Sequence, residues 1–102
     1  MTKADRELAD LESVFGALAH ASRRQILLVL WLRGGVLSAG QIAERFSCKW
    51  PTITRHLGLL VSAGLITVRK EGRERFYALD RDHLMNVVGG WLRWFETNRR
   101  GR

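Results

Sequence analysis

The sequence has only one cysteine, Cys48, and only one proline, Pro51. A single cysteine excludes an intrachain disulfide and a zinc site built from several cysteine ligands. The longest apolar run, from Ile26 to Leu32, is too short to cross a bilayer. The charged N-terminal segment also lacks the apolar core of a signal peptide. We therefore expect a cytoplasmic protein.

Acidic residues are scarce as well. Ten Asp and Glu stand against 17 Lys and Arg, which gives a formal net charge of +7. Hydrophobic residues make up 46% of the 102 residues, enough for the core of one domain. We expect that domain at residues 1–97 and a basic, disordered tail at residues 98–102. A folded core with this charge favours a polyanionic partner, and nucleic acid is the commonest one.

Helical periodicity accounts for the first part of the chain. Apolar residues predict an amphipathic helix from about Glu7 to His20, and the run RRQILLVLWLR predicts a second helix that packs on several sides. Ser22 and Gln25 have the spacing of a capping box for that second helix. Two shorter helices should follow, SAGQIAERF capped by its own Ser38, and another that begins near the proline.

The period of the pattern changes after Gly64. ITVRK and RFYAL are rich in β-branched and aromatic residues, and the turn at residues 71–74 separates them, which predicts a β-hairpin. A last amphipathic helix follows. The predicted fold is therefore mainly α with a small β-hairpin, an α+β fold in the order ααααββα.

The third and fourth helices have the arrangement of a helix-turn-helix. At about 100° per residue, Arg55 points away from the apolar stripe of the fourth helix, with Thr52 on the same outer half. Thr54 and His56 lie on its flanks. Arg55 can pair with guanine or hold a phosphate, and the threonine hydroxyls suit either kind of contact.

The predicted hairpin carries four cations, Arg69, Lys70, Arg73 and Arg75. Like charges on a short ribbon repel one another unless an anion compensates them. A DNA backbone beside the fourth helix would supply that anion. We therefore interpret the hairpin as a wing that lies along the phosphates.

Four stretches resemble the ArsR/SmtB family of winged-helix repressors: FGALAHASRRQILLVL, LSAGQIAERF, PTITRHLGLLVSAGLI and VRKEGRERFYAL. The resemblance runs from about Val14 to Phe95 and is closest to the metal-independent branch. It implies a winged helix-turn-helix that binds a two-fold symmetric operator as a homodimer, through its first and last helices. The candidate DNA-binding residues are Arg23, Lys49, Thr52, Thr54, Arg55, His56, Arg69, Lys70, Arg73 and Arg75. The candidate dimer interface is Leu8, Leu11, Phe15, Leu84, Val87, Val88, Trp91, Leu92 and Phe95.

The sequence departs from the family pattern at two helix starts. His20-Ala21-Ser22 replaces the usual Asp-Pro-Thr, so we expect the cap of the second helix to come from Ser22. Lys49-Trp50 replaces the usual pair before the proline. Trp50 either packs against the domain, which we favour because aromatic burial is large, or touches a sugar-phosphate.

The metal-sensing residues of the family are missing. Ser38 and Gly40 stand at the Cys-x-Cys positions, and Trp94 stands where a distal histidine is needed. We expect no metal and no cofactor, and no enzyme, because no nucleophile–base pair or paired carboxylates are found. The alternatives are a metal- or thiol-responsive repressor and a protein-interaction module, although the basic wing argues against the latter. Cys48 fits a small buried hydrophobe better than a sensor thiol. The sequence does not identify a small-molecule effector.

Overall fold

Five helices and three strands follow one another through residues 1–98, the part of the chain that a computed structural model describes. The elements are α1 (Lys3–Leu18), α2 (Ala21–Leu32), β1 (Val36–Ser38), α3 (Ala39–Ala43), α4 (Trp50–Ser62), β2 (Ile66–Glu71), β3 (Glu74–Leu79) and α5 (Arg81–Asn98). Asn98, which we assigned to the tail, is the last residue of α5. The rest of the predicted tail, residues 99–102, lies outside the described residues.

The strands form one antiparallel sheet in the order β1-β3-β2. The hairpin of β2 and β3 is confirmed, with Gly72 at a φ of 61° in its turn. The predicted element order lacked β1, which pairs with β3 so that Leu37 lies opposite Tyr77. A strand of three residues is too short to show a period of two.

Two helix starts differ from their predictions. Helix α1 begins at Lys3 rather than near Glu7, because Thr2 and Asp5 form a capping box in a segment without apolar periodicity. The cap of α2 was assigned wrongly to Ser22. His20 is the N-cap residue, and its Nδ1 accepts a hydrogen bond from the Ser22 amide at 3.2 Å.

The core lies between the helices and one face of the sheet. Its largest side chains with no measurable exposure are Ile26, Leu30, Ile42, Ile53, Leu60 and Leu65. Each buried side chain of this size contributes about 1.5–3 kcal/mol relative to an exposed one. The apolar stripe of α4 is thereby held inward. No helix within residues 1–98 is long and apolar enough to cross a membrane.

Candidate nucleic-acid interface

The outer face of α4 is polar and solvent-exposed. Ile53 and Leu57 are buried, while Thr52, Thr54 and Arg55 are exposed on the opposite side, as the helical spacing predicts. Gly58 lies on the same exposed surface, and a Cβ built there would meet no atom within 4 Å. This face therefore offers the Arg55 guanidinium and two threonine hydroxyls, with no side chain at Gly58.

The start of α4 is also open to solvent. Lys49 is its N-cap residue and makes no capping hydrogen bond with its side chain, and Pro51 lies in the first turn. Trp50 is 52% exposed, so the packing that we favoured accounts for only part of its surface. The exposed part of the ring lines a groove beside the wing.

His56 and Arg23, which the sequence placed in the DNA-binding set, do not lie on this exposed surface. The His56 side chain is only 5% exposed. Its Nδ1 lies 3.2 Å from a terminal guanidinium nitrogen of Arg23, whose Nε donates to the Ala17 carbonyl oxygen at 2.8 Å. The two side chains join the end of α1 to α4, because the flank that His56 occupies packs against the start of α2.

The neighbourhood of His56 favours its neutral form. Burial, and after it the charges of His20, Arg23 and Arg55, lowers the pKa of His56. The His20 and His56 rings lie with their centroids 4.6 Å apart. A neutral imidazole can accept the Arg23 hydrogen bond at Nδ1, whereas a protonated ring has only donors. His56 is thus a neutral internal contact of α4.

The wing cations are not equivalent. Arg69 Nε lies 2.7 Å from a Glu71 carboxylate oxygen, and the Arg69 guanidinium stands 5.3 Å from the centroid of the Phe76 ring. The argument that all four cations lack compensation is therefore wrong for Arg69.

The other three wing cations, Lys70, Arg73 and Arg75, are exposed and form no ion pair within residues 1–98. Lys70 lies directly opposite Arg75 in the strand register. Like charges placed opposite each other destabilise a hairpin. These three side chains are therefore the part of the wing that an external anion would stabilise.

A groove of about 540 Å³ lies between α4 and the wing. Trp50 and Thr54 line it from α4, and Arg73 and Arg75 line it from the hairpin. Two elements that are distant along the chain thus present two guanidinium groups, hydroxyls and one carboxylate, of Glu74, around one depression.

A second surface lies between α1 and α5, on the side predicted for the dimer contact. The Phe15 and Trp91 rings pack edge to face with their centroids 5.2 Å apart. Leu84, Val87 and Val88 are partly buried against the core of their own protomer. Leu8, Leu92 and Phe95 remain exposed, whereas Leu11 is half-buried.

Trp94 belongs to the same surface and is missing from our candidate set. It is 65% exposed and lines a groove of about 590 Å³ together with Leu8, Leu11 and Val87. Trp94 follows Gly90 by one helical turn, and Gly90 also lines this groove. That spacing was the sequence feature from which its place on this surface could have been predicted. A largely apolar groove, which Glu7, Asp10, His83 and Asn86 also line, is therefore left open between the first and last helices.

Asp80, His83 and Cys48, whose side chains are of types that can bind metals, make contacts within the fold. Asp80 accepts a hydrogen bond from the His83 amide at 3.0 Å and so caps α5. Residues 1–98 contain no group of three or more His, Cys, Asp or Glu side chains that could hold a metal ion. Cys48 is half-buried and packs against the core.

A helix-turn-helix at α3–α4, a basic hairpin beside α4 and an apolar α1–α5 face define a winged helix-turn-helix domain. Residues 18–69 match the family described as a helix-turn-helix domain. The chain is 34% identical over 82 residues to the transcriptional repressor SdpR of Bacillus subtilis, covering 80% of this chain and 88% of that protein.

Solved structures agree with this class. An ArsR-family transcriptional regulator superimposes with a TM-score of 0.83 at 29% identity, covering 92% of this chain and 94% of the other. The homodimeric winged helix-turn-helix DNA-binding domain of a possible ArsR-family regulator from Mycobacterium bovis gives 0.72 at 26% identity, covering 94% and 88%. The chain belongs to the ArsR/SmtB family of DNA-binding transcriptional regulators, which are not enzymes.

Proposed function

We propose that the chain represses transcription in the cytoplasm by binding a two-fold symmetric operator as a homodimer, without a metal inducer. The observation that carries this proposal is the groove between α4 and the wing, lined by Thr54, Arg73 and Arg75. A major groove takes one α-helix, and the flanking phosphates then lie beside the wing.

The two elements have different roles in this proposal. Arg55, with Thr52 and Thr54, enters the major groove, where a guanidinium can pair bidentately with guanine. Arg73, Arg75 and the other exposed wing cation, Lys70, bind phosphates and fix the register of the protein on the duplex. Lys49 lies at the start of α4, where the positive end of the helix dipole also favours a phosphate. Arg69 contributes less because Glu71 already neutralises it.

Trp50 joins the DNA-binding set in this proposal. Its side chain, which is 52% exposed, lines the same groove as Thr54 of the helix and Arg73 of the wing. A DNA backbone that lies in this groove would contact the ring, whose apolar edge suits the sugar. This is the second of the two interpretations that the sequence left open.

The α1–α5 groove supports dimerisation. An exposed apolar surface is formed by Leu8, Trp91, Leu92, Trp94 and Phe95. Burying this surface against a partner would stabilise so small a domain. A second copy related by a two-fold axis covers it with the same residues. The two α4 helices then face successive major grooves, which requires half-sites about one helical turn apart or a multiple of it.

Metal independence is proposed from the residues at the family's sensing positions. Ser38 is the N-cap of α3, where its hydroxyl accepts from the Gln41 amide, and a hydroxyl is a poor ligand for soft metals. Trp94 offers no ligand atom at the last-helix site. Operator affinity should therefore stay constant when low-micromolar zinc, cadmium or arsenite is added.

The test is selection of bound sites from a random DNA pool by the purified protein, followed by affinity measurements on the selected site. We expect an inverted repeat, and light scattering at twice the chain mass of 11.7 kDa. Arg55→Ala should cost about 1–3 kcal/mol of operator affinity if Arg55 contacts a base. Failure to enrich any sequence would support a protein-interaction module, and a chelator-reversible loss of affinity in metal would support a metal sensor.

A further inference from the structure

The outer face of α2 is apolar where a surface helix is normally polar. Trp31 is 55% exposed and Leu32 is 68% exposed, and Leu28 is half-exposed one turn earlier. An amphipathic helix at a protein surface usually turns charged residues to solvent. The same side of the molecule carries half-exposed Met85 from the first turns of α5. This apolar face shares no residue with the α1–α5 groove.

The face contains a groove of about 470 Å³. Leu28 and Trp31 form one wall and Met85 the other, while Leu27 and Leu84 lie at its base. The volume is within the range of about 300–1,000 Å³ that small-molecule sites occupy. The groove is therefore large enough for a ligand with an alkyl chain or one to two aromatic rings.

The groove has cations among its lining residues and no carboxylate. Arg24 and Arg81 line it. Arg24 donates to the Leu18 carbonyl oxygen at 2.7 Å through one terminal nitrogen, which leaves its other N–H groups available. The guanidinium of Arg81 lies 5.5 Å from the centroid of the Trp31 ring, and its nearest carboxylate, on Asp82, is 4.0 Å away.

We propose that this groove is a binding site for a small amphipathic carboxylate. Apolar walls bury the hydrocarbon part of such a ligand, and an arginine fork matches a carboxylate through two parallel hydrogen bonds. Neutral hydrocarbons would use only the walls. Cationic ligands would be repelled by both arginines.

The probe is decanoate, titrated below its micelle-forming concentration into the isotope-labelled protein without DNA. The matched neutral probe is 1-decanol. We expect saturable binding of about one decanoate per protomer and at least tenfold weaker binding of decanol. The amide shifts should be confined to the elements that line the groove, namely α2, the end of α1, the end of β3 and the first turns of α5. A tenfold difference in affinity corresponds to the low end of what a hydrogen bond to a charged group contributes.

Two variants locate the site. The double variant Arg24→Gln and Arg81→Gln should bind decanoate at least tenfold more weakly and bind decanol as the parent protein does. The control variant Arg6→Gln and Arg45→Gln removes two exposed cations elsewhere and should bind both probes normally. Leu28→Gln should weaken both probes. It alters an exposed side chain, so the fold is retained.

Four results would overturn the proposal. They are the absence of saturable binding, equal affinity for decanoate and decanol, shifts that map to the α1–α5 groove, and conversion of the dimer to monomer by Leu28→Gln. The last result would show that a second copy covers this face. All measurements are made without DNA, so they do not depend on whether operator binding is found.

Discussion

Replacing Arg23 by alanine tests whether this side chain stabilises the fold or binds DNA. The sequence placed Arg23 in the DNA-binding set, whereas the structure shows its guanidinium bound to the Ala17 carbonyl and to His56. A contact with the Gly16 carbonyl at 3.5 Å is at the limit of a hydrogen bond. Arg23→Ala therefore removes two internal hydrogen bonds and leaves the nearly buried imidazole without its donor.

The expected loss of stability follows from those two bonds. Hydrogen bonds to charged groups contribute about 1.5–3 kcal/mol each, and partial exposure of Arg23 puts both at the low end because water replaces part of each contact. We expect the free energy of unfolding to fall by about 2–3 kcal/mol. Arg23→Lys keeps one donor instead of a fork and should recover part of this loss.

The assay is urea unfolding at one fixed protomer concentration, because dimerisation makes apparent stability concentration-dependent. Arg55→Ala is the matched control. Arg55 is exposed on the outer face of α4, so its removal should change the free energy of unfolding by less than about 0.5 kcal/mol while weakening operator binding. The reasoning is refuted if Arg23→Ala keeps full stability but loses operator affinity and salt dependence.

Three further predictions follow from single side chains. Arg73→Ala should weaken binding to operator and scrambled DNA alike and reduce the slope of log affinity against log salt by about one unit; a changed sequence preference would contradict a phosphate contact. Burial holds the pKa of His56 below its unfolded value of about 6.5, so the unfolded chain takes up this proton first as the pH falls, and the free energy of unfolding declines from about pH 6.5 to the lower folded pKa. His56→Gln should flatten that decline in urea titrations across this range, and an unchanged pH profile would show that His56 does not titrate as described. Gly64→Ala should destabilise by at least about 1 kcal/mol, because Gly64 has a φ of +76° and an added Cβ would lie 3.1 Å from Nε2 of His83; the control Gly58→Ala, in open space within α4, should stabilise the fold slightly, and equal effects of the two substitutions would argue against this account.

Much of the DNA-reading helix could be predicted from spacing alone. The apolar period of α4 required Ile53, Leu57 and Leu60 to share a face, and all three are buried. The outward direction of Arg55 then followed from geometry within one helix. The sequence pattern also changes at Gly64, which follows α4 with a positive φ, and such a local backbone conformation needs no distant partner.

The flank of the same helix could not be predicted. His56 is separated by 33 residues from the arginine that it contacts, and helical spacing gives the direction of a side chain but not the element that packs against it. The cap of α2 was missed for a different reason. It is a local contact, but histidine is not among the residues that usually cap a helix, so the serine two residues later was the expected choice.

The sequence by itself determined the helices, the hairpin, the basic charge and the two amphipathic helices at the ends, because each depends on residues that are near neighbours in the chain. Tertiary structure alone decided that β1 joins the sheet, that Arg23 contacts His56, and that Trp50 and the wing line one groove. These features depend on distances between side chains, and in a folded chain such distances are set by how whole elements pack around the core.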